Sequence, residues 1–164
     1  MFKLVISTSD IDEVVTVARK IWTEHYTRII GIEQVEYMLE KFNSKQVITA
    51  QIANDNYQYY LITNDSVTVG YIGFQLQANE LFLSKIYLLS TVRGLGLGKR
   101  SMAFIKTVAT ENNLSKITLT VNKNNLDTIT AYYKLGFVKT GEVCADIGEG
   151  FVMDDLLMEL QLSE

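Results

Sequence analysis

A glycine-rich segment in the middle of the chain has the composition of a phosphate-binding turn. Gly94, Gly96 and Gly98 alternate with leucines, and Arg93 and Lys99 flank them. Glycines let the backbone approach an anion closely, and the first turn of a helix has unpaired N–H groups that can donate to phosphate oxygens. If a strand ends before this segment and a helix begins within it, the segment is suited to bind a phosphate group.

Two common nucleotide-binding patterns fit this segment poorly. A P-loop needs a glycine where the chain has Arg93, and a serine or threonine where it has Arg100. A dinucleotide fingerprint has the spacing Gly-x-Gly-x-x-Gly within a parallel βαβ unit, whereas these glycines alternate and the preceding strands read as antiparallel. The spacing that remains is Arg93-x-x-Gly96-x-Gly98. It resembles the Gln/Arg-x-x-Gly-x-Gly/Ala motif with which GNAT N-acetyltransferases bind the pyrophosphate of coenzyme A.

A second group of residues extends this resemblance. Asn125 lies seven residues before Tyr132, and Leu135-Gly136-Phe137 follows, as in the second signature of the same family. The matching motifs run from Leu81 to Phe137, and the order of elements agrees over the whole chain. The resemblance implies one acetyltransferase domain over residues 1–164, with acetyl-CoA as cosubstrate, no metal, and direct attack of an amine on the thioester.

The resemblance also implies individual roles. The backbone of the strand before the loop would pair with the pantetheine arm, and the Leu88 N–H would stabilise the oxyanion of the tetrahedral intermediate. Tyr132 would act as the general acid for the leaving thiolate, since a phenol with a pKa of about 10 stays protonated at neutral pH. The implied cofactor-binding residues are Ile86, Tyr87, Leu88, Arg93, Gly94, Leu95, Gly96, Leu97, Gly98, Lys99, Asn125 and Tyr132.

The roles implied for Asn125 and Tyr132 each have a structural alternative. Asn125 is also a suitable N-cap for the helix that follows it, and both roles are compatible. Tyr132 is also a plausible core aromatic. Its neighbour Tyr133 would point about 100° away around the helix, so the count back from Gly136 favours Tyr132.

The residue that accepts the proton of the attacking amine is left open by the sequence. The candidates are Glu24, His25, Glu80 and a chain of water molecules. An alkylammonium group has a pKa of about 10.4, by analogy with lysine, so the amine needs an acceptor for its proton before it can attack.

Three segments resemble the PaiA-type branch of the family, whose members are similar to polyamine acetyltransferases: Trp22–Tyr26, Gln34–Leu39 and Asp154–Met158. This resemblance implies a small amine, such as a polyamine, as the acceptor. The acidic residues that could line such a site, or simply be solvated, are Glu24, Glu36, Asp146, Glu149, Asp154 and Asp155. Two other functions remain open: acetylation of a protein or peptide N-terminus, and non-catalytic sensing of acyl-CoA.

Composition limits the possible partners and location. The chain has 164 residues, 48% of them apolar, a net charge of −4 and a single cysteine, Cys144, which we expect to be half-buried in a strand. No apolar run reaches the roughly 18 residues of a membrane span, and no signal peptide is recognisable. We therefore expect a cytoplasmic protein with no nucleic-acid or membrane partner, and a homodimer is possible by analogy with the family.

Hydrophobic periodicity predicts the elements that position these residues. A strand over Lys3–Ser7 precedes a helix capped by Asp10 and Glu13, and a second helix covers Glu33–Phe42. The remaining predicted elements are strands Val47–Ala53, Tyr57–Thr63, Val67–Leu76 and Leu81–Leu89, helix Gly96–Glu111, strand Lys116–Val121, helix Leu126–Leu135, and strands Phe137–Cys144 and Phe151–Leu160. The predicted class is α/β with the GNAT fold, a mixed and mostly antiparallel sheet of about six or seven strands flanked by about four helices.

Overall fold

A computed structural model of the chain describes residues 1–162, which form two compact units. The first unit comprises Met1–Leu76 and Leu83–Ile105, and the second comprises Gln77–Phe82 and the described residues from Lys106 onward. The elements are β1 Phe2–Leu4, α1 Thr8–Ile30, α2 Ile32–Phe42, α3 Lys45–Asn54, β2 Tyr57–Asn64, β3 Val67–Leu76, β4 Glu80–Leu88, α4 Leu97–Glu111, β5 Lys116–Asn122, α5 Leu126–Lys134, β6 Val138–Gly148 and β7 Phe151–Gln161. That residues 1–164 form one acetyltransferase domain stays a prediction.

In the first unit, the strands follow the order β1-β2-β3-β4. β1 and β3 both pair with β2 in antiparallel register, with Phe2 opposite Ile62 and Tyr60 opposite Ile72. The helix α1 packs against β3 and α2, while α3 packs against β2. The apolar side chains at the centre of this unit are fully buried, Leu61 among them.

In the second unit, the strands follow the order β4-β5-β7-β6. β4 pairs with β5 in parallel through Glu80–Phe82, opposite Lys116–Thr118, and the other two pairs are antiparallel. The predicted class, a mixed and mostly antiparallel sheet with helices, is confirmed. The described residues contain seven strands and five α-helices, one helix more than the sequence suggested.

The extra helix is α3, and the strand predicted over Val47–Ala53 is wrong. Ser44 begins this helix as its N-cap, and its hydroxyl accepts a hydrogen bond from the Val47 N–H at 3.3 Å. Ile48 is buried on the inner face of the helix, while Thr49 is exposed. The β-branched residues favour a strand in isolation, but packing against β2 overrides that weak preference.

The N-terminal cap of α1 also lies one turn earlier than predicted. The N-cap is Ser7, whose hydroxyl accepts from the Asp10 N–H at 3.1 Å. In return, Asp10 accepts from the backbone N–H groups of Ile6 and Ser7 at 3.0 and 3.1 Å. These backbone hydrogen bonds and the nearby Lys3 ammonium stabilise the ionised carboxylate and hold the pKa of Asp10 well below its usual value. Glu13 takes no part in this capping box, so the predicted pairing of Asp10 with Glu13 is wrong.

The end of β4 lies very close to β3 at Gly70. A Cβ atom at this position would be 2.2 Å from the Tyr87 carbonyl oxygen and 2.9 Å from a Leu88 methyl carbon. Leu89 continues the contact, because its N–H donates to the Val69 carbonyl at 2.8 Å. Only glycine allows β3 to hold the last residues of β4 at this separation.

We expect Gly70→Ala to lower the free energy of unfolding by more than about 2 kcal/mol, because the new methyl group would overlap a backbone oxygen. Urea unfolding followed by circular dichroism measures this change. Gly98→Ala is the matched control, since a Cβ there meets only a Leu88 methyl carbon at 3.9 Å. Equal stability of the two variants would contradict the close approach of the strands.

Candidate active site

The glycine-rich segment connects β4 to α4 through a short 3₁₀ turn, Ser90–Val92. The N–H groups of Val92 and Arg93 donate to the carbonyls of Leu89 and Ser90, each at 3.2 Å. Four residues later α4 begins, and the Arg100 N–H donates to the Gly96 carbonyl at 3.0 Å to close the first helical turn. The predicted sequence of strand, glycine turn and helix is therefore present.

Two glycines give this segment its shape. Gly94 and Gly96 have φ values of 81° and 77°, in the left-handed region that favours glycine. A Cβ atom on either residue would meet nothing within 4 Å, so the backbone at both glycines borders open space. Leu97, Gly98 and Lys99 form the first turn of α4, where backbone N–H groups have no partner within the helix.

The electrostatics of the segment favour an anion. The positive end of the α4 dipole lies at Leu97, and the side chains of Arg93, Lys99 and Arg100 are exposed beside it. Leu95 is the exposed apolar residue between the two left-handed glycines. Together, the free helix N–H groups and the basic side chains are suited to a phosphate or pyrophosphate group.

The last residues of β4 point their backbone groups alternately to the two sides of the strand. The Leu89 N–H and the Tyr87 carbonyl both face β3. Since neighbouring residues of a strand point their N–H and C=O groups in opposite directions, those of Ile86 and Leu88 face away from β3. β4 pairs with β5 through Glu80–Phe82, so Ile86, Tyr87 and Leu88 all lie beyond the paired stretch.

Two of the candidate proton acceptors contact the 3₁₀ turn and the arginine that follows it. A Glu24 carboxylate oxygen accepts from the Ser90 N–H at 2.8 Å, and the His25 Nδ1 lies 3.4 Å from a guanidinium nitrogen of Arg93. A third candidate, Glu80, accepts a short hydrogen bond from the Thr118 hydroxyl in the second unit. The structure thus gives each of the three carboxylate and imidazole candidates a defined local partner.

Several of the acidic residues predicted for a polycation site are already engaged. Glu36 forms a two-bond ion pair with Arg19 at 2.9 and 3.0 Å, and Asp154 pairs with Lys123 at 3.1 Å. Asp155 is buried, and this burial raises the pKa of its carboxyl above the usual value. The Asp146 carboxylate accepts from the Gly148 N–H at 2.8 Å, at the end of β6.

An aromatic cluster from α1, β3 and β4 packs around Tyr87. Trp22 lies 4.5 Å from Tyr26 and 5.4 Å from Tyr87 between ring centroids, and Tyr71 also lies 5.4 Å from Tyr87. The Trp22 indole donates to the Tyr71 hydroxyl at 3.1 Å. The same hydroxyl donates to the Asn43 side-chain oxygen at 3.0 Å. This cluster gives the end of β4 a rigid support on the side of α1.

A buried lysine in β4 was not recognised from the sequence. The Lys85 ammonium donates to the Phe42 carbonyl at the end of α2 and to the Tyr59 hydroxyl, both at 2.6 Å. The Tyr59 hydroxyl donates in turn to the Gln51 side chain at 2.6 Å. Lys85 follows the buried Leu81 and Leu83 at alternate positions of the strand, and this spacing is the signal that could have revealed it.

Burial of Lys85 without an ion-pair partner in its hydrogen-bonding network disfavours the charged form. It lowers the pKa of the ammonium from its usual 10.5 to about 7. Its two acceptors, the Phe42 carbonyl and the Tyr59 hydroxyl, are both neutral groups. A buried amine of this kind titrates in the physiological range.

The two predicted residues of the second unit lie at the two ends of α5. Asn125 is buried and occupies the N-cap position, and its carbonyl accepts from the Ile129 N–H at 3.0 Å. Tyr132 is buried, with its ring 5.3 Å from that of Phe137, whereas its neighbour Tyr133 is 48% exposed. The two tyrosines therefore face different environments, as the helical spacing predicted.

Three further features concern the surface of the described chain. Cys144 lies in β6 as predicted, but it is exposed instead of half-buried. Within residues 1–162, no group of three or more His, Cys, Asp or Glu side chains is arranged to hold a metal ion. None of the helices in that range is long and apolar enough to span a membrane.

Comparison with known proteins matches the chain to acetyltransferases. The family model described as acetyltransferase (GNAT) domain matches residues 26–154. A spermidine N(1)-acetyltransferase of Thermoplasma acidophilum is 24% identical over 153 residues, covering 91% of this chain and 92% of the relative. A 5-NmdU N-acetyltransferase of Pseudomonas phage PaMx11 is 25% identical over 139 residues, covering 84% and 96%.

A solved structure extends the likeness to the whole fold. The crystal structure of the PaiA N-acetyltransferase from Thermoplasma acidophilum, in complex with coenzyme A, matches with a TM-score of 0.80 and 22% identity. The match covers 99% of both chains. It confirms the fold predicted from the sequence.

We expect the pKa of Lys85 to be visible in the pH dependence of stability. Between about pH 7 and pH 10 the unfolded chain binds the proton that the folded amine has lost, so the free energy of unfolding rises with pH. The rise is at most about 1.4 kcal/mol per pH unit. Urea unfolding at several pH values should show it for the native chain and not for Lys85→Met. If the free energy of unfolding depends on pH in the same way in the native chain and in Lys85→Met, Lys85 keeps its ordinary pKa.

Proposed function

We propose, from the fact that the chain belongs to the GNAT family of acetyltransferases, that it transfers the acetyl group of acetyl-CoA to a primary amine of a polyamine. The observation that carries this proposal is the open, left-handed turn at Gly94 and Gly96 at the N-terminus of α4. Acetyl transfer to an amine is common to the family. The polyamine acceptor is the finer part of the proposal.

In the proposed complex, the coenzyme A pyrophosphate accepts hydrogen bonds from the N–H groups of Gly94 through Lys99. The N–H groups of the first α4 turn and the open space beside Gly94 and Gly96 fit such a group. Arg93 and Lys99 add positive charge beside it. The pantetheine arm pairs with the backbone of Ile86 and Leu88, whose polar groups face away from β3.

The proposed chemistry is a direct transfer. The neutral amine attacks the thioester carbon, the C–N bond forms and the C–S bond breaks. The amine's proton passes to one of the acceptors that the sequence leaves open: Glu24, His25, Glu80 or water. The Leu88 N–H donates to the oxyanion of the tetrahedral intermediate, a contribution of about 3 kcal/mol in comparable acyl transfers. Tyr132 returns a proton to the coenzyme A thiolate, and Asn125 binds the pantetheine arm. These two roles rest on the family resemblance.

The acceptor is proposed from the likeness to the Thermoplasma spermidine acetyltransferase and from charge. The net charge of −4 favours a cationic substrate over an anionic one. Glu36 and Asp154 already neutralise basic side chains, so they contribute less to such a site. Asp155 is buried, so the exposed Asp146 and Glu149 remain the stronger acidic candidates.

We expect release of free thiol from acetyl-CoA to be fastest with polyamines. The kcat/KM for spermidine should exceed that for propylamine by at least about tenfold, because the additional ammonium groups interact with acidic residues. A series of propylamine, putrescine, spermidine and spermine separates the effect of charge from that of the reacting amine. Cys144 is exposed and adds its own thiol signal, so Cys144→Ser serves as the assay background.

Other outcomes of this screen would redirect the assignment. Turnover with a peptide N-terminus or a nucleoside amine, and none with polyamines, would retain the acetyltransferase and reject the polyamine. Binding of acetyl-CoA without turnover on any amine would favour a non-catalytic acyl-CoA sensor.

We expect Tyr132→Phe to lower kcat by about 100-fold or more while leaving the Kd for coenzyme A within about twofold, because the hydroxyl acts only on the leaving group. Tyr133→Phe is the matched control on the same helix, since that ring is largely exposed. Steady-state kinetics and calorimetry measure both quantities. An unchanged kcat in Tyr132→Phe would remove this residue from the mechanism.

A further inference from the structure

Two neighbouring residues of α1 contact both ends of the 3₁₀ turn that precedes the glycine segment. Glu24 accepts from the N–H of Ser90, the first residue of the turn, at 2.8 Å. His25 lies 3.4 Å from the guanidinium of Arg93, which caps the turn at its C-terminal end. These contacts join segments that are more than 60 residues apart in the chain.

The chemistry of each contact fixes its direction. A guanidinium has only donors, so in this contact the His25 Nδ1 can only accept. The Ser90 N–H bonded to a carboxylate is a charge-assisted hydrogen bond. Both α1 side chains therefore place an acceptor atom on a group of the loop.

The same part of α1 is itself well anchored. One turn of the helix contains Trp22 and Tyr26, which are buried and stack on each other beside Tyr87. The side chains that contact the loop thus extend from a helical turn fixed against the end of β4. A rigid base of this kind can hold the loop at a constant distance from Leu88.

We infer that Glu24 and His25 are positioning residues for the phosphate-binding loop. Glu24 holds the start of the 3₁₀ turn, and His25 orients the Arg93 guanidinium toward the pyrophosphate. This inference rests on the proposed function, because it assigns the loop to coenzyme A.

The first test uses hydrogen exchange and needs no cosubstrate. In Glu24→Ala, the amide of Ser90 loses its acceptor, so deuterium uptake by the peptide around Ser90 should accelerate relative to the native chain. Glu24→Gln keeps an acceptor oxygen and should show smaller acceleration. Thr23→Ala, an exposed neighbour on the same helix, is the control and should exchange like the native chain. Unchanged uptake in Glu24→Ala would overturn the inference.

The second test separates positioning from base catalysis. Glu24→Ala should weaken coenzyme A binding by roughly three- to tenfold, since an exposed hydrogen bond contributes less than a buried one. Its kcat at saturating acetyl-CoA should stay within about twofold, with an unshifted pH profile. A large loss of kcat with a shifted pH profile and native coenzyme A affinity would identify Glu24 as the base. If the native chain itself fails to bind coenzyme A, the proposed function fails, while the exchange test still decides the contact.

A double-mutant cycle tests the His25 contact. The effect of His25→Ala on coenzyme A affinity should disappear in an Arg93→Ala background, because the imidazole acts through the guanidinium. Additive effects of the two substitutions would overturn that part of the inference.

Discussion

The left-handed backbone at Gly94 and Gly96 turns the chain from the end of β4 into the first turn of α4, and the candidate site depends on this geometry. An L-residue at either position would be strained, and a side chain there would occupy the open side of the turn. The turn places free helix N–H groups next to the last residues of β4. A cosubstrate that has both a pyrophosphate and an extended arm can therefore bind along one continuous stretch of chain, from Ile86 to Lys99.

The surrounding elements of the first unit hold this stretch in place from two directions. β3 fixes the end of β4 through the close approach at Gly70 and the hydrogen bond from Leu89 to Val69. α1 contacts the following turn through Glu24 and His25. Lys85 adds a polar contact between β4 and the end of α2, and its burial there lowers the pKa of the amine.

Local signals account for what the sequence predicted well. Gly94 and Gly96 account for the turn between β4 and α4, since glycine is favoured where φ is positive. β3 and α2 follow from regular periodicity. The strand predicted over Val47–Ala53 was wrong because its β-branched residues have strand preference, while the Ser44 cap and burial of Ile48 stabilise a helix. Long-range contacts were not predictable: nothing in the local sequence indicates that Glu24 meets Ser90, or that Lys85 reaches Phe42. The roles of Asn125 and Tyr132 remain predictions from the family signature.

The claim that the glycine turn binds the pyrophosphate can be tested most directly by calorimetric titration of coenzyme A against two matched variants. Gly96 and Gly150 have nearly the same φ, 77° and 78°, and a Cβ at either would meet nothing within 4 Å. Glu substitution therefore brings similar backbone strain and the same charge to both sites. The account predicts that Gly96→Glu weakens binding by more than about 100-fold through repulsion of the phosphates, while Gly150→Glu binds like the native chain. Native affinity in Gly96→Glu, or an equal loss in both variants, would contradict it.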